Sequence, residues 1–100
     1  IQIKSDFFVA LNNKGLLFDA MGNHIEAIET YDKAVKIKPN FDAVWFNKAC
    51  AQALLSRKEE ALDSLKKAVE LNPGYKSAAK NNPDFSKLGG DADFLKIVGE

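Results

Sequence analysis

The sequence predicts an all-α protein in which antiparallel helix pairs repeat and stack as an α-solenoid, with short helices capping its C-terminal end. Two observations indicate this fold class. The chain resembles itself when it is shifted by 34 residues, and within each copy the apolar residues recur at helical spacing. We therefore expect a single domain, with repeat 1 over about residues 8–41, repeat 2 over about 42–75, and a helical cap over about 76–100.

The self-similarity rests on identical residues spread over both copies. The identical pairs are Asn13 with Asn47, Lys14 with Lys48, Glu26-Ala27 with Glu60-Ala61, Lys33-Ala34-Val35 with Lys67-Ala68-Val69, and Pro39 with Pro73. Conservative pairs, such as Phe41 with Tyr75, fill positions between them. Because all these matches share one offset, they predict two copies of one structural unit.

The first copy is predicted to form two helices joined by a tight turn. The first helix covers about residues 7–20, and residues 21–23 (Met-Gly-Asn) form the turn, where glycine supplies backbone freedom. Asn23, followed by Glu26 three residues later, predicts a capping box at the start of the second helix. That helix should end before Pro39, since a residue that precedes proline is pushed out of the helical region.

The second copy follows the same pattern. Asn40 or Asp42 is expected to cap its first helix, and Ser56 with Glu59 predicts a second capping box. The sequence Asn-Pro-Gly at residues 72–74 should end the second helix.

Small residues are expected where the helices approach most closely. They are Gly15, Ala27, Ala34, Ala49, Ala61 and Ala68, and the large residues between them are Leu11, Phe18, Tyr31 and Trp45. A single helix pair cannot cover its own apolar face, so each pair should stack on the next.

These positions carry a resemblance to the tetratricopeptide repeat family. The family's residue types fall at Leu11, Gly15, Phe18, Ala27, Tyr31, Ala34 and Pro39 in the first copy, and at Trp45, Ala49, Gln52, Ala61, Leu65, Ala68 and Pro73 in the second. Gln52 stands where the family usually has an aromatic residue, so we expect weaker or different packing there.

The last quarter of the chain breaks the repeat, since Pro83 would interrupt a third copy of the helix pair. The tail resembles those that often close bacterial repeat proteins of this family. The apolar residues expected to cover the exposed end of the second helix pair are Phe85, Leu88, Phe94, Ile97 and Val98. Asp91 is expected to cap the last helix.

Composition excludes several classes of function. The chain has 14 basic and 14 acidic residues and no net charge, so no long-range field favours nucleic acid or an anionic membrane. Cys50 is the only cysteine, which rules out an internal disulfide and predicts a cytoplasmic location. No apolar run is long enough to span a membrane, and no signal peptide is visible. A start at Ile1 suits a piece of a longer protein, or a cloning or processing effect.

No enzyme, cofactor or metal site is predicted. His24 is expected to be a solvated turn residue, and one histidine with one cysteine makes no ligand set. Cys50 could line a groove or pack as a small apolar residue, and we expect packing. The carboxylate pairs Glu59-Glu60 and Asp91 with Asp93 lie at helix starts, where dipole and capping effects account for them.

The resemblance implies a function in binding a protein or peptide of unknown identity, in a concave groove lined by the first helices of the repeats. The groove-facing positions are expected to be Val9, Asn12, Asn13, Leu16, Asp19, Phe46, Asn47, Cys50, Ala53, Lys80 and Asn81. Asn13, Asn47 and Asn81 recur at one place in successive first helices. Their amides could grip a peptide backbone, or they could simply be solvated.

One family subtype clamps the acidic C-terminal carboxylate of chaperones through Lys, Arg and Asn side chains. Only Asn47 matches that set, while Asn12, Leu16, Ser77 and Asn81 stand at the other positions. We therefore predict no clamp of that kind.

An alternative to groove binding is a structural role, either in self-association as a homo-oligomer or in packing inside a longer protein. A short array of repeats leaves one end incompletely covered, which makes stacking on another copy physically reasonable.

Overall fold

The computed structural model confirms an all-α fold and describes residues 3–99, with the side chains of residues 7–99. The helices are α1 (Ile3–Ala20), α2 (His24–Ile37), α3 (Asp42–Leu54), α4 (Lys58–Leu71), α5 (Tyr75–Asn81), a 3₁₀ helix (Pro83–Leu88) and α6 (Ala92–Val98). Between residues 3 and 99 the chain forms no strand. Glu100, the last residue of the expected cap, and Ile1 lie outside the described residues.

Helix α1 packs on α2, α3 packs on α4, and α2 joins the two pairs by packing on α3. The predicted small residues form these contacts, since Ala27, Ala34, Ala49 and Ala61 have no exposed surface. A Cβ atom at Gly15 would lie 2.7 Å from Cδ1 of Tyr31, so the tyrosine ring packs directly on the α1 backbone. The prediction that small residues set the spacing of the helices is confirmed.

Both helix pairs turn through the same backbone motif. In the first turn the Asn23 N–H donates to the Phe18 carbonyl over 2.8 Å, around Gly22 with φ +81°. In the second turn the Arg57 N–H donates to the Gln52 carbonyl over 2.9 Å, around Ser56 with φ +61°. These are Schellman motifs, in which a left-handed residue closes the end of a helix.

Both predicted capping boxes are wrong, because each of these turns closes through a Schellman motif instead. Ser56 is the left-handed residue that ends α3, so it cannot cap α4, and Arg57 takes the N-cap position without a side-chain bond. Asn23 does precede α2, but its ψ of 68° lies outside the extended range of a capping residue, and its side chain caps nothing.

The cap predicted for α3 is also wrong. Phe41 takes the N-cap position, Asp42 is the first helical residue, and the Asp42 carboxylate accepts a hydrogen bond from Asn72 at 3.1 Å. The predicted stops are confirmed, since α2 ends at Ile37 and α4 ends at Leu71, each shortly before a proline.

The unusual Gln52 is fully accommodated by a polar partner. Gln52 and Ser64 are both buried, and the Ser64 hydroxyl donates to Oε1 of Gln52 over 2.7 Å. The packing is therefore different rather than weak, because a hydrogen-bonded pair replaces an aromatic ring.

The C-terminal helices cover the end of the second pair as predicted. Phe85, Leu88, Phe94 and Val98 are buried in one cluster with Leu62 and Leu65 of α4, and Ile97 packs at its edge. Asp91 caps α6 as predicted, accepting hydrogen bonds from the Asp93 and Phe94 N–H groups. None of the helices between residues 3 and 99 combines the length and apolar character that a membrane crossing requires.

Candidate partner-binding groove

A pocket of about 410 Å³ opens between α1, α3 and the start of the 3₁₀ helix, where the first helices of the two repeats lie side by side. Its walls are formed by Leu16, Asp19, Ala20, His24, Phe46, Asn47, Cys50, Ala51, Leu54, Asn82 and Asp84. We call this pocket the groove.

The groove brings together part of the predicted set. Leu16, Asp19, Phe46, Asn47 and Cys50 all line it. The remaining members, which do not line it, are Val9, Asn12, Asn13, Ala53, Lys80 and Asn81.

The three asparagines expected at equivalent places in the first helices, Asn13, Asn47 and Asn81, have different surroundings. Nδ2 of Asn47 donates to Oδ1 of Asn12 over 3.0 Å, so these two side chains hold each other between α1 and α3. Asn81 instead donates to the Ser77 carbonyl of its own helix over 3.1 Å, and Asn13 is exposed. Asn47 retains its carbonyl oxygen and a second N–H as groups that a partner could bind.

Lys80 and Phe46, two further members of the predicted set, also have contacts within the protein. Nζ of Lys80 lies 3.3 Å from the Gly99 carbonyl, near the end of α6. Phe46 stacks on Tyr75 with ring centroids 4.6 Å apart and lies 5.9 Å from the Phe85 ring. Phe46 therefore joins the core to the groove and belongs to both.

Cys50 is buried, as expected for a packing residue, and only its edge reaches the groove. Burial is the main reason that the pKa of the thiol rises to about 12, and the carboxylates of Asp84 and Asp19 add to the shift. The thiol is therefore protonated at neutral pH. Its sulfur lies 3.7 Å from Nδ2 of Asn82, which helps to hold the 3₁₀ segment against α3.

One wall of the groove is a hydrogen-bonded cluster around Asp19. The Tyr31 hydroxyl donates to Oδ2 of Asp19 over 2.6 Å, and Nδ1 of His24 lies 2.8 Å from Oδ1. Burial, followed by this hydrogen bond, raises the pKa of Tyr31 well above its usual value. The prediction that His24 is a solvated turn residue is wrong, because the Schellman turn folds the start of α2 back onto Asp19.

Asp84 is a groove residue that sequence reasoning missed. Desolvation and then the nearby Asp19 carboxylate raise its pKa, while His24 opposes the shift. The backbone N–H of Asp84 is held by Oδ1 of Asn82 over 2.8 Å. Neither residue has a counterpart one repeat earlier in the same structural role, so the repeat pattern could not identify them.

The charged groups on the groove wall are mainly carboxylates. The groove is lined by the carboxylates of Asp19 and Asp84 and by the imidazole of His24. None of the described lining residues is Lys or Arg. Across residues 3–99 no three His, Cys, Asp or Glu side chains converge as a metal site would require.

A second cleft, of about 470 Å³, lies between α4 and α6, and it was not predicted from the sequence. Its apolar wall is formed by Leu62, Val69 and Ile97, and Lys66, Asp63 and Asp93 stand around it. This cleft is formed by the second helix of repeat 2 and the cap, so it is separate from the groove.

Stacked helix pairs with a groove along their first helices define a helical repeat protein. The tetratricopeptide repeat family matches residues 8–41 and 43–75, which together make up about two thirds of the chain, and the chain belongs to this family. A comparison with curated proteins finds no match. Tetratricopeptide repeats are in general non-catalytic modules for protein–protein interaction.

Proposed function

We propose that this protein is a non-catalytic interaction module that binds a peptide or a partner protein in the groove. The observation that carries the proposal is that the exposed apolar side chains of Leu16 and Leu54 line the same pocket as the amide of Asn47. Apolar contact area next to a group that both donates and accepts hydrogen bonds is what recognition of an extended peptide requires.

The residues have distinct roles in this proposal. Leu16 makes apolar contact and Asn47 bonds the peptide backbone, while Asn12 orients Asn47 through the 3.0 Å bond. Phe46 and Cys50 form the floor. The residues that would contact a longer partner outside the pocket are Asn13, Lys80 and Asn81.

The charge of the groove favours a partner with basic or neutral side chains. An acidic side chain would approach Asp19 and Asp84, whose mutual repulsion already contributes to the raised pKa of Asp84. It would lose its hydration and find no lysine or arginine on the described walls. This supports the expectation that the groove does not clamp an acidic C-terminal tail.

The experiment compares two neighbouring leucines of α1. A displayed library of random peptides is selected on the wild type, and the enriched peptides are measured against Leu16→Glu and Leu17→Glu. Leu16 lines the groove and Leu17 does not, while both side chains are exposed enough for a charge to leave the fold intact.

We expect Leu16→Glu to weaken binding at least about tenfold, since it places a carboxylate next to Asp19 and removes apolar contact. Leu17→Glu should bind as the wild type does. Equal loss in both variants, or equal retention, would mean that the peptides do not bind in the groove.

We also propose that the module acts in the cytoplasm and needs no cofactor. A reducing compartment suits the single thiol of Cys50, which has no second cysteine in the chain to pair with.

A further inference from the structure

A stripe of exposed residues runs along α1 on a side that does not line the groove. It consists of Phe7, Ala10, Lys14, Leu17 and Met21, spaced by three and four residues as on one face of a helix. Phe7, Leu17 and Met21 are 53%, 62% and 58% exposed. We call this stripe the N-terminal face.

The same five positions occur one repeat later, where the structure shows what covers them. A shift of 34 residues leads from the N-terminal face to Phe41, Val44, Lys48, Ala51 and Leu55. Val44 and Ala51 are fully buried, and Phe41 and Leu55 pack against the same cluster. That cluster contains Ile28 and Tyr31, so α2 is the element that covers this stripe in repeat 2.

The lysine in each stripe indicates which charge a covering helix should carry. In repeat 2, Nζ of Lys48 lies 2.6 Å from Oδ1 of Asp32 on α2 and 5.1 Å from the centre of the Trp45 ring. Its counterpart Lys14 is exposed, and its Nζ lies 5.9 Å from the centre of the Phe18 ring. A helix that covered the N-terminal face as α2 covers its counterpart would therefore place a carboxylate next to Lys14.

We propose that the N-terminal face binds an amphipathic helix of a partner protein, of the α2 type and bearing a carboxylate opposite Lys14. The partner helix presents apolar residues to Phe7, Leu17 and Met21, and its acidic residue pairs with the lysine. This surface is distinct from the groove, so a single molecule could bind one partner at each.

A second copy of this chain does not meet that description. In a head-to-tail stack the covering helix would be α4, the counterpart of α2, and Lys66 stands at the position of Asp32. Lys66 would then face Lys14, and like charges at close range oppose association. The same side of α4 also forms the cleft with Ile97 and Asp93 of α6, so it is partly occupied within the chain.

The probe is a peptide with the sequence of residues 24–37, acetylated and amidated at its ends, because this is the helix that covers the equivalent stripe. It is titrated into the full-length ¹⁵N-labelled protein and followed by amide chemical shifts. A second peptide carries Asp32→Lys. We expect saturable shifts at Ala10, Leu17 and Met21, and weaker binding of the second peptide by about three- to tenfold.

Charge exchange tests the pairing. The Lys14→Glu variant should bind the first peptide more weakly by a similar factor. It should bind the Asp32→Lys peptide more tightly than the first peptide. Lys76→Glu, a change at an exposed lysine of α5, should alter neither affinity. Leu17→Glu should abolish the shifts, whereas Leu16→Glu should retain them, the reverse of the result expected for groove ligands.

Several outcomes would overturn the proposal. These are the absence of shifts at millimolar peptide, shifts confined to the groove around Asn47, or shifts at Val44 and Ala51 that report exchange with α2 itself. Equal binding of both peptides to the Lys14→Glu variant would show that Lys14 forms no ion pair with the bound helix. Sedimentation showing that the protein dimerises through this face without peptide would assign the face to a second copy.

Discussion

Asp19 shows how a single carboxylate joins the end of one helix to its neighbour. It accepts the Tyr31 hydroxyl at 2.6 Å and contacts Nδ1 of His24 at 2.8 Å. The tyrosine ring itself lies on Gly15, so packing places its hydroxyl where Asp19 can accept it. Both sides of this cluster depend on the turn at Gly22, which returns the chain from α1 to α2.

The turn of repeat 2 has the same left-handed conformation as the turn of repeat 1, but a serine adopts it in place of a glycine. Ser56 stands where repeat 1 has Gly22, and it adopts φ +61°, which disfavours a side chain with a Cβ atom. Ser56→Gly is therefore expected to raise the free energy of unfolding by about 1 kcal/mol, measured by urea denaturation.

The reverse change at Gly22 is the matched control. Gly22→Ser has open space for its Cβ atom but requires φ +81°, so it should lower the stability by a similar amount. A destabilised Ser56→Gly would show that the serine side chain contributes a contact that outweighs its backbone strain.

Helix α6 is short, and its start depends on one residue. Asp91 accepts hydrogen bonds from the Asp93 and Phe94 N–H groups at 2.9 and 3.1 Å, and its other oxygen lies 2.5 Å from Nζ of Lys58. The hydrogen bond from Lys58 and the backbone donors lower the pKa of Asp91, and the same contact raises the pKa of Lys58. The cap thus connects α6 to the start of α4.

Two variants separate the cap of α6 from its ion pair. Asp91→Ala removes both and should lower the melting temperature more than Asp91→Asn, since asparagine can still cap a helix. Far-UV circular dichroism during heating measures the difference. Identical melting temperatures would indicate that the backbone bonds contribute nothing measurable.

The pH dependence of this contribution has a definite sign. Because the pKa of Asp91 is lower in the folded state than its ordinary 3.8, its stabilisation is present above about pH 3.8 and is lost as the pH falls through the lowered value. The difference in stability between the wild type and Asp91→Asn should therefore narrow in acid.

The core of the protein consists of two apolar clusters joined by the stacking of α2 on α3. One cluster fills repeat 1 and its contact with α3, and the other joins α3 and α4 to the cap. The cap is part of the second cluster, because Phe85 stacks near Phe94 with centroids 5.8 Å apart and both are buried. Loss of the cap would expose the end of repeat 2.

Cys50 lies in that second cluster and can report its opening. A buried thiol with a pKa of about 12 contains very little thiolate at pH 8, so its reaction with a disulfide reagent should be at least about 100-fold slower than in the denatured chain. The release of thionitrobenzoate measures the rate. A native rate within a few-fold of the rate in guanidinium would contradict the burial of this side chain.

Because burial raises the pKa of the Cys50 thiol, we also expect the stability of the protein to decline at high pH. Its pKa is higher in the folded state than the ordinary 9.0, so its contribution is complete below about pH 9 and is lost as the pH rises toward 12. Cys50→Ala should reduce this part of the decline, and denaturation at pH 8 and pH 10.5 would show it.

The sequence alone determined the fold class, the ends of α2 and α4, the small residues between helices and the composition of the cap. These features follow from local rules and from repetition, because helical spacing, prolines and a constant offset of 34 residues are all readable along one chain. The tertiary structure decided which polar groups meet. Asp19 with His24, Asn12 with Asn47, and Asp84 beside the groove depend on the rotation of one helix against another and on a C-terminal segment that has no repeat copy. The failed capping boxes have a related cause, since a tight Schellman turn leaves no room for the backbone conformation that a capping side chain needs.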